Sequence, residues 1–160
     1  MMEGPLWHRI QALLDTGEVE RGEFGGAELA GLFFKARRAD RDARNGSLYI
    51  DSRSTLAYQA LHQYSDVLAR LHGFRVKQGR RHHRNLFQVV HALQIDGAGN
   101  LDADAESAAR GRTRSFYGLE ATSETTVAGI LALNERLRVV VRRELLARHP
   151  DQADVVDAAW

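Results

Sequence analysis

Only two prolines, Pro5 and Pro150, stand in this chain, one near each end. Proline removes a backbone donor and clashes with the preceding helical turn, so its near-absence leaves room for long helices. Within that room the apolar residues recur at about 3.6-residue intervals, the repeat of one helix face. Strands would need alternation instead, and almost none occurs. The expected fold class is all-α, an antiparallel bundle of about five to six helices joined by short connections.

The segments can be placed in order. Pro5 opens a first helix with Leu6, Ile10, Leu13 and Leu14 inward, and Thr16-Gly17 stops it. Residues 22–26 read as a loop. A second helix carries Leu29, Leu32, Phe33, Ala36 and Ala43 on one face and Lys35, Arg37, Arg38, Asp40, Arg41 and Asp42 on a solvated face. Asp51, Ser52 or Ser54 could cap the third helix, whose Ala57, Ala60, Leu61, Tyr64, Val67, Leu68 and Leu71 run to Gly73. Leu86, Phe87, Val89, Val90 and Leu93 mark a shorter helix. Residues 97–100 break the chain. Leu101 to Tyr117 then form a helix whose early Asp102, Asp104 and Glu106 suit the positive end of its dipole, with Gly118 as its stop. Thr122 or Ser123 caps a last long helix ending at Pro150. Residues 1–149 thus read as one domain, with a core over 27–147 and a tail over 150–160.

Composition excludes several kinds of chemistry. The chain has 160 residues and no cysteine, which rules out disulfides, thiolate metal sites and a cysteine nucleophile. No window reaches the roughly 18 apolar residues of a membrane span. The first residues lack the apolar core of a secretory signal, so no membrane contact and a cytoplasmic location are expected. No G-x-S-x-G, P-loop or G-x-G-x-x-G is present, and no cofactor is expected. Net charge is only +1, so bulk electrostatics does not point to nucleic acid.

Charge distribution says more. From Arg70 to Arg84 there are six Arg or Lys, three His and no acid. This stretch is either a solvated loop or a phosphate-binding patch, since clustered cations release counterions from a polyanion. His82, His83 and His91 are not accompanied by carboxylates at metal-ligand spacing, so no metal is expected; His83 reads either as a cap or loop anchor or as a residue acting beside the basic patch. On the helix from Leu101, Arg112 falls within the apolar stripe of Leu101, Ala105, Ala108 and Phe116, where an unpaired charge is costly. Arg112 is then either a structural ion pair or a cleft residue balanced by phosphate. Arg110, Arg114 and Tyr117 share the opposite face.

Several of these pieces resemble one family in the order in which they occur. Lys35 to Arg44 looks like the first core helix of HEPN (higher eukaryotes and prokaryotes nucleotide-binding) domains. Leu56 to Gly73 looks like the second, with its A-Y-x-A-L pattern. Arg81-His82-His83-Arg84-Asn85-Leu86 resembles the His-bearing entry to the third helix, and Leu13 to Arg21 is similar to the lead-in of a bacterial subgroup. The resemblance runs from about Leu13 to Leu146.

The family's signature is an Arg followed, after four to six residues, by His. Here Arg112 and Tyr117 fit the four-residue spacing, and Arg110 and Tyr117 the six-residue spacing. Tyr117 stands where the family's ribonucleases carry His. The resemblance implies an RNA- or nucleotide-binding domain of a bacterial stress, defence or toxin–antitoxin system. Its degenerate ribonuclease site would be Arg112 and Tyr117, with Arg80, Arg81, His83, Arg84, Arg110 and Arg114 as nucleic-acid contacts. Two other roles stay open on the same resemblance: an active metal-independent endoribonuclease, and a protein-interaction module beside a nucleotidyltransferase-like partner. Family members commonly pair, so a homodimer is expected.

Overall fold

A computed structural model describes residues 4–116 and 122–158, with only the backbone described for 112–116. Among the described residues the chain forms seven helices and one two-stranded sheet: α1 (Trp7–Asp15), β1 (Val19–Arg21), α2 (Gly26–Ala43), α3 (Ile50–Leu71), β2 (Phe74–Val76), α4 (His82–Ala92), α5 (Leu101–Phe116), α6 (Glu124–Arg148) and α7 (Ala153–Asp157). The molecule is predominantly helical, as the 3.6-residue repeat demands. None of the described helices is long and apolar enough to cross a membrane.

α3 is the axis of the bundle. Ala57, Tyr58, Ala60, Leu61, Tyr64, Ser65, Val67, Leu68 and Ala69 are all buried, a stripe too wide for a one-sided helix. α2, α4, α5 and α6 pack around it. α3 starts at Ile50 with Tyr49 as its N-cap and no side-chain cap bond. Asp51, Ser52 and Ser54 are therefore inside the helix, and none of them caps it. α6 does carry the expected cap: Ser123 Oγ accepts from the Thr126 amide at 3.1 Å.

Residues 22–25 form the expected loop, but the 70–84 stretch is more than a loop, because it contains a strand that pairs with one just before that loop. β1 and β2 pair antiparallel, Val19 with Val76, Glu20 with Arg75 and Arg21 with Phe74. Val19, Phe74 and Val76 point into the core while Arg75 faces outward, a two-residue alternation too short to register in a sequence window. Gly73, at φ +85°, ends α3 in a left-handed conformation, and the Gly73 carbonyl accepts from the Gly22 amide at 3.0 Å. This turn carries the chain from α3 straight into the hairpin.

The solvated face assigned to α2 also needs correction. Lys35, Arg38 and Arg41 are exposed, but Arg37 and Asp40 are buried. The reason is that α2 packs on α3 along one side and on α6 and α7 along others. Arg37 donates to the Val156 carbonyl at 2.7 Å, and Val156 is itself buried. Part of the tail over 150–160 is therefore packed onto the bundle. Asp40 accepts from Asn134 Nδ2 at 3.2 Å, and that amide also donates to the Ala57 carbonyl at 2.9 Å. Arg44 adds longer contacts to the same carboxylate at 3.4 Å. Burial pushes the Asp40 carboxyl above its ordinary range, against the opposing pull of Arg44 and Asn134.

Candidate functional site

The basic stretch divides into two unequal parts. Arg70 lies in the last turn of α3, where it pairs with Glu28 at 2.8 Å and Asp66 at 3.1 Å. Arg75 pairs with Glu20 across the hairpin, and Lys77 approaches the same carboxylate at 3.7 Å. These cations are neutralised within the fold. Arg80, Arg81 and Arg84, just before and within the first turn of α4, have no ion pair among the described residues. Glu18 feels the charge of Arg81, but it is held by Thr16 Oγ1 at 2.8 Å and Asn85 Nδ2 at 3.2 Å. Those two hydrogen bonds, aided by the charge of Arg81, keep its carboxyl below the ordinary range.

Arg80, His83 and Arg84 line one wall of a cleft of about 360 Å³ between α3, α4 and α5. Tyr58 from α3 and Phe87 from α4 form its floor, and both are buried. His83 stacks on Tyr58, with ring centroids 5.6 Å apart and planes 18° from parallel, while Phe87 meets Tyr58 edge-on at 6.3 Å. The opposite wall is α5, which contributes Ala105 and Ala109 at its centre and Asp102 and Glu106 at its margin. Asp102 has a loose partner in Arg9 of α1 at 3.7 Å, and Glu106 one in Arg110 at 3.7 Å. Gln88 completes the lining.

Behind this cleft sits a cluster of three imidazoles. The His62 ring lies 4.4 Å from His83 and 4.9 Å from His82. His82 Nδ1 donates to the Lys77 carbonyl at 2.9 Å, which leaves its buried Nε2 without a hydrogen-bond partner among the described residues. His62 Nε2 is in the same condition. Burial, reinforced by His83 and His82, pushes the His62 imidazole down to about 3, so it stays neutral through the physiological range. Among the described residues, no group of three or more His, Asp or Glu side chains is arranged to hold a metal ion.

The fold therefore brings Arg80, His83 and Arg84 to one site with residues the sequence reading assigned elsewhere. His82 and His83 are helical residues of α4, whose N-cap is Arg81, so His83 is not the cap. Phe87 belongs to the expected apolar face of its helix, and Asp102 and Glu106 to the acids expected at the helix dipole, yet all three line the cleft beside Tyr58. His62 was not singled out, although it follows Tyr58 by one helical turn and so shares its face. Arg110 is exposed on α5 beside Glu106. Arg112 and Arg114 fall on the last part of α5, where only the backbone is described. Tyr117 and Gly118 lie outside the described residues. Leu101 and Ala105 are buried, as the apolar stripe through Arg112 requires at its start.

A second groove of about 380 Å³ separates α5 from α6, lined by small residues including Ala108, Gly111, Thr126 and Gly129. It has neither an aromatic floor nor a cluster of cations. No family model matches the chain, and no curated protein or solved structure is significantly similar to it.

Proposed function

We propose that this chain is a HEPN-like domain that binds RNA or a nucleotide and cleaves it weakly or not at all. The observation that carries the proposal is the α3–α4–α5 cleft, where Arg80 and Arg84 share the lining with the aromatic rings of Tyr58, His83 and Phe87. Guanidinium groups suit phosphate, and aromatic faces suit bases. At about 360 Å³ the cleft is near the lower end of the ~300–1,000 Å³ range of small-ligand sites. It therefore holds one nucleotide unit rather than a length of strand.

The weak chemistry follows from Tyr117. A well-tuned acid–base side chain contributes ~10²–10⁴-fold to such reactions. A phenol with an ordinary pKa of about 10 supplies little of that at neutral pH. Arg112 would still stabilise charge on a bound phosphate. On this reading the domain works in a bacterial cytoplasm as a homodimer, within a stress, defence or toxin–antitoxin system.

The test is a titration of a short fluorescein-labelled single-stranded RNA, followed by anisotropy at several salt concentrations. Binding should weaken steeply with salt and fall about tenfold or more in an Arg80→Ala/Arg84→Ala variant. Equal binding by parent and variant, or no binding by the parent at low salt, overturns the proposal.

A further inference from the structure

The two walls of the cleft are chemically opposite. Arg80 and Arg84 on the α4 side offer only donors and positive charge. Asp102 and Glu106 on the α5 side offer, as carboxylates, only acceptors and negative charge. A bare phosphate or a uniform polyanion is attracted by one wall and repelled by the other. A ligand that satisfies both must carry its anionic group at one end and hydrogen-bond donors at the other. Between them it must be flat, because the floor is aromatic and α5 otherwise contributes only the small side chains of Ala105 and Ala109. Asp102 and Glu106 are spaced one helical turn apart, so both present their acceptors from the same face of α5.

Among the common nucleotides, guanine alone presents two adjacent donor groups, N1–H and the 2-amino group, on its pairing edge. Adenine and cytosine present one amino group next to a ring acceptor. Uracil presents a single N–H between two carbonyls, which a carboxylate opposes. The partners of the two acids do not remove this preference. Arg9 and Arg110 each stand 3.7 Å away, which leaves carboxylate lone pairs open to a ligand.

We infer that the cleft between α3, α4 and α5 selects a guanine-bearing nucleotide unit, its phosphate at Arg80 and Arg84 and its donor edge at Asp102 and Glu106. This rests on the nucleotide-binding reading above and names the ligand of that same site. The unit can be a free guanine nucleotide or a guanosine within RNA.

Calorimetric titration of the full chain with GMP, IMP, AMP, CMP and UMP tests the inference. GMP should bind about tenfold more tightly than AMP, CMP or UMP. IMP, which lacks only the 2-amino group, should lose most of that advantage. In an Asp102→Asn/Glu106→Gln variant the preference should shrink below about threefold and UMP should gain, because amides can both donate and accept. Both positions are partly or fully exposed, and thermal melting checks that the variant remains folded. Titration with the pentamers UUGUU and UUUUU then separates the two sources. A pentamer advantage well above that of GMP points to RNA, and equal affinities point to the free nucleotide. If the four common mononucleotides bind equally and still depend on Arg80 and Arg84, guanine selection is overturned while the nucleotide reading stands. If neither mononucleotides nor pentamers bind, both are overturned.

Discussion

The molecule holds two clusters of charged and polar side chains built from the same residue types, and they differ in what completes them. Around Asp40, the buried Asn134 amide nitrogen donates to both the carboxylate and the Ala57 carbonyl between α2, α3 and α6, while Asn134 Oδ1 has no partner among the described residues. Around Arg80 and Arg84, the cations face an open cleft that also holds Asp102 and Glu106, yet they form no ion pair among the described residues. Burying a charge is tolerated only where partners are supplied within the fold, so the first cluster is committed to stability. The second costs the fold little and is available to a ligand. The contrast teaches that charge in this chain is informative by its partners, not by its density along the sequence. The densest run, from Arg70 to Arg84, is half neutralised by Glu20, Glu28 and Asp66.

The sharpest way to break this contrast is to cut the buried cluster. Asn134→Ala removes the donor to both Asp40 and the Ala57 carbonyl, and it should cost about 3 kcal/mol. In a domain of this size that is a fall of roughly 6–12 °C in melting temperature. A loss under about 1 kcal/mol in denaturant titration would show that the cluster is not committed to stability.

A second effect should appear with pH. The His62 imidazole is held down to about 3 in the fold, by burial first and then by His83 and His82. In the unfolded chain it titrates near the ordinary value of about 6.5. Between those values the unfolded state binds the extra proton, so stability is complete above about 6.5 and declines as pH falls toward 3. His62→Phe should flatten the melting temperature across that window, apart from the general acid loss shared with the parent. Parallel curves for the two proteins would contradict the assignment. Smaller is the effect of Ser123→Ala, which removes the N-cap bond of α6 and should cost about 1 kcal/mol. A change within error in chemical denaturation would mean that water replaces the cap.

Much of the fold was legible in the sequence. Its 3.6-residue repeats place all the long helices, since a pattern over many residues outweighs local ambiguity. The hairpin was not legible, because three-residue strands such as Val19–Arg21 leave no pattern to read. Arg37 and Asp40 escaped because a helix packed on more than one side buries positions that one-sided amphipathicity assigns to solvent. The site was legible in part. Arg80, His83 and Arg84 stood out as a basic run, but their neighbours Tyr58, Phe87, Asp102 and Glu106 come from other helices. Only the packing of α3, α4 and α5 brings these together.

The smallest expected stability effect belongs to Arg80→Ala/Arg84→Ala, within about 0.5 kcal/mol of the parent, because neither side chain is buried or paired in an ion pair. Set beside its expected loss of about tenfold or more in RNA affinity, this variant separates ligand binding from folding. A clear drop in melting temperature would instead place these arginines with the stabilising cluster around Asp40.

The most direct measurement of the central claim is a nuclear magnetic resonance titration of the isotopically labelled protein with GMP. The account predicts shift changes concentrated on Tyr58, His83, Phe87, Gln88, Ala105 and Ala109, the lining of one cleft. Changes centred instead on the α5–α6 groove around Thr126 and Gly129, or no changes at millimolar nucleotide, would contradict it.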